Sequence, residues 1–146
     1  MKTIPIFTLA LMVLIIAGCS SGKDSSNGDD PGNNEDPKEL ITGDESRDKE
    51  KLRAMESKIL SIVDGSTCSE GSTTCKVVAF GSKPCGGPWK YLAYNSTDVN
   101  EPALLEQITR YNQMEFEMNQ AYGYMSDCEF ITEPEVKCVD GKCQTQ

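Results

Sequence analysis

Six cysteines fall between residues 68 and 143 of a 146-residue chain that has no histidine. Cys68, Cys75, Cys85, Cys128, Cys138 and Cys143 constrain the fold more than any other feature. An even set in a small domain reads as three disulfides that brace the fold. Zinc is the other reading of clustered cysteines. The spacings contain no C-x-x-C pair and there is no imidazole to complete a site, so metal ligation is not expected. The same absence of histidine removes Ser-His-Asp and Cys-His catalysis.

The seventh cysteine stands apart. After Lys2, the chain is apolar from Ile4 to Ala17 apart from Thr8, and the run closes on Ile16-Ala17-Gly18-Cys19. Its length suits a signal-peptide core and falls short of a spanning helix. This ending resembles the lipobox of bacterial lipoproteins, an aliphatic residue and two small ones before a cysteine. The resemblance implies that residues 1–18 are a cleaved signal peptide and that Cys19 becomes the acylated first residue, an anchor of palmitate-like chains. Two or three chains hold where one does not, since each buried methylene contributes about 0.8 kcal/mol. Ser20 follows the cysteine where an inner-membrane sorting signal has Asp, which resembles outer-membrane lipoproteins. The expected location is therefore the bacterial envelope, on the outer membrane at its periplasmic face or the cell surface. The export context also keeps the six remaining cysteines oxidised.

The formal charge is −9, and loss of Lys2 takes it to −10. A field of that sign argues against nucleic acid or anionic lipid as partners. Residues 19–45 are rich in Ser, Gly, Asn, Asp and Pro and carry few apolar side chains. Such a stretch cannot bury enough surface to offset its ordering entropy and reads as a disordered acidic tether. The domain is expected at 46–146.

Within it, Leu52, Met55, Ile59 and Ile62 recur at helical spacing, with Ser46 as the expected N-cap and Gly65 as the stop. Cys75–Gly81 reads as a strand, and Trp89–Tyr94 as a second one. Between them, Gly81-Ser-Lys-Pro-Cys-Gly-Gly-Pro88 is a loop that no regular element tolerates. A helix from Glu101 to Tyr122 is expected to stop at Gly123, with Leu104, Ile108, Tyr111, Met114, Met118 and Ala121-Tyr122 on its inner face. Asp98 and Asn100 compete as its N-cap. Ser126–Ile131 reads as a third strand, and Asp140-Gly141 as a type I′ hairpin turn between the last two.

That hairpin sets Cys138 opposite Cys143 in the closer kind of antiparallel pair. The register favours a Cys138–Cys143 bond, leaving Cys68–Cys75 and Cys85–Cys128. The main rival staples the terminal hairpin to the region of Cys68 and Cys75. The expected fold class is α+β: two helices on a small, mainly antiparallel sheet braced by three disulfides.

The loop and cysteine framework, Gly81-Ser-Lys-Pro-Cys-Gly-Gly-Pro88 with Ser126-Asp-Cys128 and Cys138…Gly141-Lys-Cys143, resembles a group of small cysteine-rich bacterial lipoproteins of unassigned function. The resemblance implies a fold and no catalytic residue. Lys83, Pro84, Gly86, Gly87 and Trp89 form the expected interaction loop. A phosphate cradle would need a helix start after Gly86-Gly87, where a Pro and an aromatic stand instead. Met114, Met118 and Met125 read as core rather than as soft-metal ligands. Glu115, Glu117, Asp127 and Glu129 show no acid–base spacing and read as solvated charges. No cofactor, metal or enzymatic activity is expected. The expected function is a non-enzymatic binding domain for an envelope or extracellular protein or glycan. The alternative is a protease inhibitor that offers Lys83 to a basic-specific pocket.

Overall fold

The computed structural model describes residues 40–146. Residues 1–39, where the signal peptide, the Cys19 anchor and most of the tether are expected, lie outside the described residues. No helix among the described residues is long and apolar enough to cross a membrane.

Helix α1 spans Glu45–Gly65 and starts two residues earlier than Ser46 would place it. Asp44 is its N-cap: one carboxylate oxygen accepts the N–H groups of Ser46 and Arg47 at 3.0 and 3.2 Å. A charged cap at the positive end of the helix dipole competes well against a serine hydroxyl. The shift has a second cause in Asp48, which is completely buried. Its carboxylate accepts Thr42 N–H at 2.9 and 3.0 Å, Thr42 Oγ1 at 2.8 Å and Gly43 N–H at 3.3 Å. Thr42 to Asp44, assigned to the tether on composition, are thus part of the helix start. Ile59 and Val63 bury the inner face of α1, with Leu52, Met55, Leu60 and Ile62 packed alongside.

Strands β1 (Cys75–Phe80) and β2 (Lys90–Asn95) pair antiparallel, with Cys75 opposite Asn95 and Phe80 opposite Lys90. Helix α2 spans Glu101–Tyr122. Asn100 is its N-cap, with Oδ1 accepting Ala103 N–H at 3.3 Å, and Gly123 ends it in the left-handed conformation. The rival cap, Asp98, instead accepts the N–H and hydroxyl of Thr67 at 2.6 and 3.0 Å, tying the exit of α1 to the entry of α2. Leu104, Ile108, Tyr111, Met114 and Met118 are all buried, but the stripe ends there: Ala121 is exposed and Tyr122 half-buried, its hydroxyl bound to Asp48. Phe80 from β1 stacks on Tyr111 with centroids 4.3 Å apart, which joins sheet to helix in one core.

Strands β3 (Val136–Val139) and β4 (Lys142–Thr145) form a second two-stranded antiparallel sheet. Cys138 faces Cys143 and Val139 faces Lys142, the register expected from Asp140-Gly141. Both turn residues have positive φ, 51° and 76°, as a type I′ turn requires. Ser126–Ile131, expected as a strand, has no ladder partner and is irregular. The architecture is α+β, with two small antiparallel sheets in place of one.

The disulfides are Cys68–Cys138, Cys75–Cys143 and Cys85–Cys128. The third matches expectation; the local pairs Cys138–Cys143 and Cys68–Cys75 do not form. The hairpin has the expected register, but it is docked on the rest of the domain. Cys68 N–H donates to Gly141 O at 3.0 Å, and Lys142 Nζ donates to the carbonyls of Asp64 and Ser66 at 2.6 and 3.0 Å. These bonds carry the two hairpin cysteines onto the segment that leads into β1. Bridges spanning 70 and 68 residues also restrict the unfolded chain more than local ones. The chain-entropy model puts each at about 4 kcal/mol, against about 2 kcal/mol for the short local loops.

Candidate functional site

Residues 81–89 between β1 and β2 form the most elaborately held surface feature of the domain. Phe80 O accepts Trp89 N–H at 3.0 Å and closes its neck. Inside, Lys83 N–H donates to Gly87 O and Gly86 N–H to Lys83 O, both at 2.8 Å. Gly81 has φ 87°, and a Cβ there would lie 2.5 Å from Trp89 Cδ1 and 3.0 Å from Glu115 Oε2. Only glycine permits that approach of loop to helix.

The loop is gripped from below by a polar row on α2. Asn112 Nδ2 donates to Ala79 O at 3.2 Å, and its Oδ1 accepts Gly81 N–H at 2.7 Å. Glu115 Oε2 accepts Ser82 N–H at 2.5 Å, and Asn119 Nδ2 donates to Ser82 O at 2.7 Å. Residues three and four apart share a helix face, so Asn112, Glu115 and Asn119 lie along one edge of α2. They satisfy loop backbone groups that have no ladder partner. Burial pushes the Glu115 carboxyl above the ordinary carboxylate range. The Ser82 N–H, a hydrogen bond from the Trp89 side chain and the charge of Lys90 oppose that rise, while the charge of Glu56 adds to it.

Lys83, expected at an exposed tip, is 6% exposed. Its ammonium donates to Asp127 Oδ1 at 3.1 Å and Glu129 O at 2.9 Å, and lies 5.3 Å from the Trp89 ring centroid. The cause is the neighbouring segment: Cys85–Cys128 pulls residues 126–129 against the loop, and the acceptors they bring draw the lysine inward. An inhibitor reading needs that ammonium offered outward. Here it is occupied.

What faces solvent is the rest of the loop and its partner segment. Cys85, Gly86 and Gly87 are exposed. Trp89 is 43% exposed, Phe130 82% and Met125 93%. Met125 thus departs from Met114 and Met118, which are core. Phe116, itself exposed, lines a shallow cavity of about 400 Å³ beside Ser82, Asn112 and Gln113.

The carboxylates weighed as solvated charges divide. Glu115 and Asp127 serve the loop, while Glu117 accepts Gln113 Nε2 at 2.9 Å on the exposed side. The sulfurs of Cys68, Cys75 and Cys143 lie within 4.8 Å of one another, and their closeness is that of two neighbouring disulfides.

Sequence reasoning found the loop from its glycines and prolines but missed what holds it. Asn112 and Asn119 escape a reading of the sequence and Glu115 reads there as a solvated charge, because polar residues at helical spacing usually face water. Their spacing beside the buried stripe was the available signal. No family model, curated protein or solved structure matches the chain.

Proposed function

We propose that the chain is a lipid-anchored protein of the bacterial envelope whose domain binds a macromolecular partner through the 81–89 loop and the segment joined to it by Cys85–Cys128. One observation carries this reading. Lys83, Asn112, Glu115 and Asn119 all point inward and hold the loop, leaving Trp89, Met125 and Phe130 outward around one disulfide. Large apolar side chains left exposed on a rigid frame lose little entropy on docking, which is the property of a contact surface. The lipobox resemblance supports the location, and the acidic balance supports a partner other than nucleic acid.

A photo-crosslinking residue placed at Trp89 or Phe130 in living cells tests the surface. Capture of a discrete species there, and none from the same residue at Leu105 on the far part of α2, is the expected result. Equal or absent capture at all three positions would remove the proposal. Fatty-acid labelling tests the anchor separately: it should disappear in Cys19→Ala, and labelling that persists would show the anchor is elsewhere.

A further inference from the structure

Residues 125–134 make no backbone–backbone hydrogen bond among the described residues. One carbonyl of this stretch, that of Glu129, is taken by Lys83 Nζ. The hydroxyl of Ser126 is buried and has no partner. Within it, Phe130 and Ile131 are residue types that favour a strand. A segment of that kind with open N–H and C=O groups is a template for another strand.

Such segments are usually too mobile to serve. This one is clamped at Cys128 by the disulfide, at Glu129 by Lys83 and at Asp127 by the same ammonium. Part of the ordering entropy of strand addition is therefore met before a partner arrives. The chemistry of the partner follows from charge. Asp127, Glu129, Glu133 and Glu135 lie along the segment, and Phe130 stands out from it.

We propose that residues 126–131 pair with an extended, basic peptide segment of the partner, which adds a strand and sets an apolar side chain against Phe130. A glycan has no regular row of amide donors and carbonyl acceptors to match the open backbone. An anionic lipid surface is repelled by the carboxylates. The inference rests on the loop and its neighbouring segment being the contact surface, and it names the mode of contact and the class of ligand.

The test uses the full chain carrying Cys19→Ser, labelled with ¹⁵N, and a synthetic Lys-Val-Lys-Phe-Lys-Val-Lys peptide as probe. Strand addition predicts shifts confined to residues 126–131 and their neighbours in the loop, with amide exchange there slowed at least about tenfold. The same peptide N-methylated on alternate residues keeps charge and side chains but loses one hydrogen-bonding edge. Its affinity should fall at least about tenfold. Equal binding by the two peptides would reduce the contact to side-chain charge and overturn strand addition, while leaving the crosslinking result at Trp89 and Phe130 untouched. Absence of any shift at 126–131 at millimolar peptide would overturn it as well. Phe130→Asn, at a position 82% exposed, should weaken binding of the unmodified peptide; an unchanged affinity would overturn the apolar contact.

Discussion

The Tyr122 hydroxyl, at the end of α2, donates to Oδ2 of the fully buried Asp48 near the start of α1 at 2.6 Å. The same carboxylate binds the backbone of Thr42 and Gly43, so one side chain joins the entering chain, the first helix and the end of the second. Tyr122→Phe removes one hydrogen bond to a charged acceptor and should cost about 1.5–3 kcal/mol, measured by urea unfolding monitored through the helical signal. The hydroxyl pKa is pushed up to about 12, first by that bond and then by burial. An ordinary tyrosine titration at this position would contradict the contact.

Asp48 also carries a pH signature. Burial raises its carboxyl, but the bonds from Tyr122, Thr42 and Gly43 outweigh burial and hold it below the ordinary carboxylate range. A depressed folded pKa means its contribution is complete above the unfolded value, about 3.9, and is lost as pH falls through the lower folded value. Asp48→Asn should therefore be less stable than the parent at pH 6, with the gap closing toward pH 2. Thermal melts across that range measure it, and a gap independent of pH would be the contrary result.

Glu115 has the opposite sign. Its folded pKa is raised by burial beneath the loop. The stability tied to its proton is complete below the unfolded value, about 4.3, and is lost as pH rises through the folded value. Glu115→Gln keeps an acceptor for Ser82 N–H and should remove this dependence while leaving the domain at least as stable at pH 7. Trp89 is the one tryptophan of the chain and interacts with Glu115, so its fluorescence should titrate with the carboxyl in the parent and not in the variant.

Gly81→Ala should be far worse than Gly86→Ala. Both have positive φ, but a Cβ at Gly81 runs into Trp89 whereas the space at Gly86 is open. Backbone strain alone costs about 1–3 kcal/mol, so Gly86→Ala stays in that range and Gly81→Ala exceeds it. Paired unfolding curves separate the two.

Proteolytic mapping of the unreduced chain should recover peptides joined through Cys68–Cys138 and Cys75–Cys143, and none joined through Cys138–Cys143. Removing either long bridge by a double serine replacement should cost about 2–5 kcal/mol. Removing Cys85–Cys128, which spans 43 residues, should cost a similar amount and also loosen the loop surface.

Both helices, the first two strands, the terminal hairpin and its register were legible in the residues, because each depends on neighbours a few positions away. The stripe from Leu104 to Met118 marks its own buried face, and Asp140-Gly141 dictates its own turn. The α+β class followed from the same local rules, and the pairing of the six cysteines in disulfides from their even count. Other features depended on groups 30 to 80 positions apart, beyond the reach of propensity and spacing. Asp98 left its capping role for Thr67, 31 residues away. Lys83 turned inward because Asp127 and Glu129 were brought to it by a disulfide. Cys138 and Cys143 face each other in the hairpin, yet each bonds a sulfur on another segment, because docking through Gly141 and Lys142 decides which thiol is nearest. Sequence alone determined the elements and the chemistry available to them. Tertiary structure decided which of several willing partners each polar or sulfur atom meets, since that choice depends on distances set only once the core has closed.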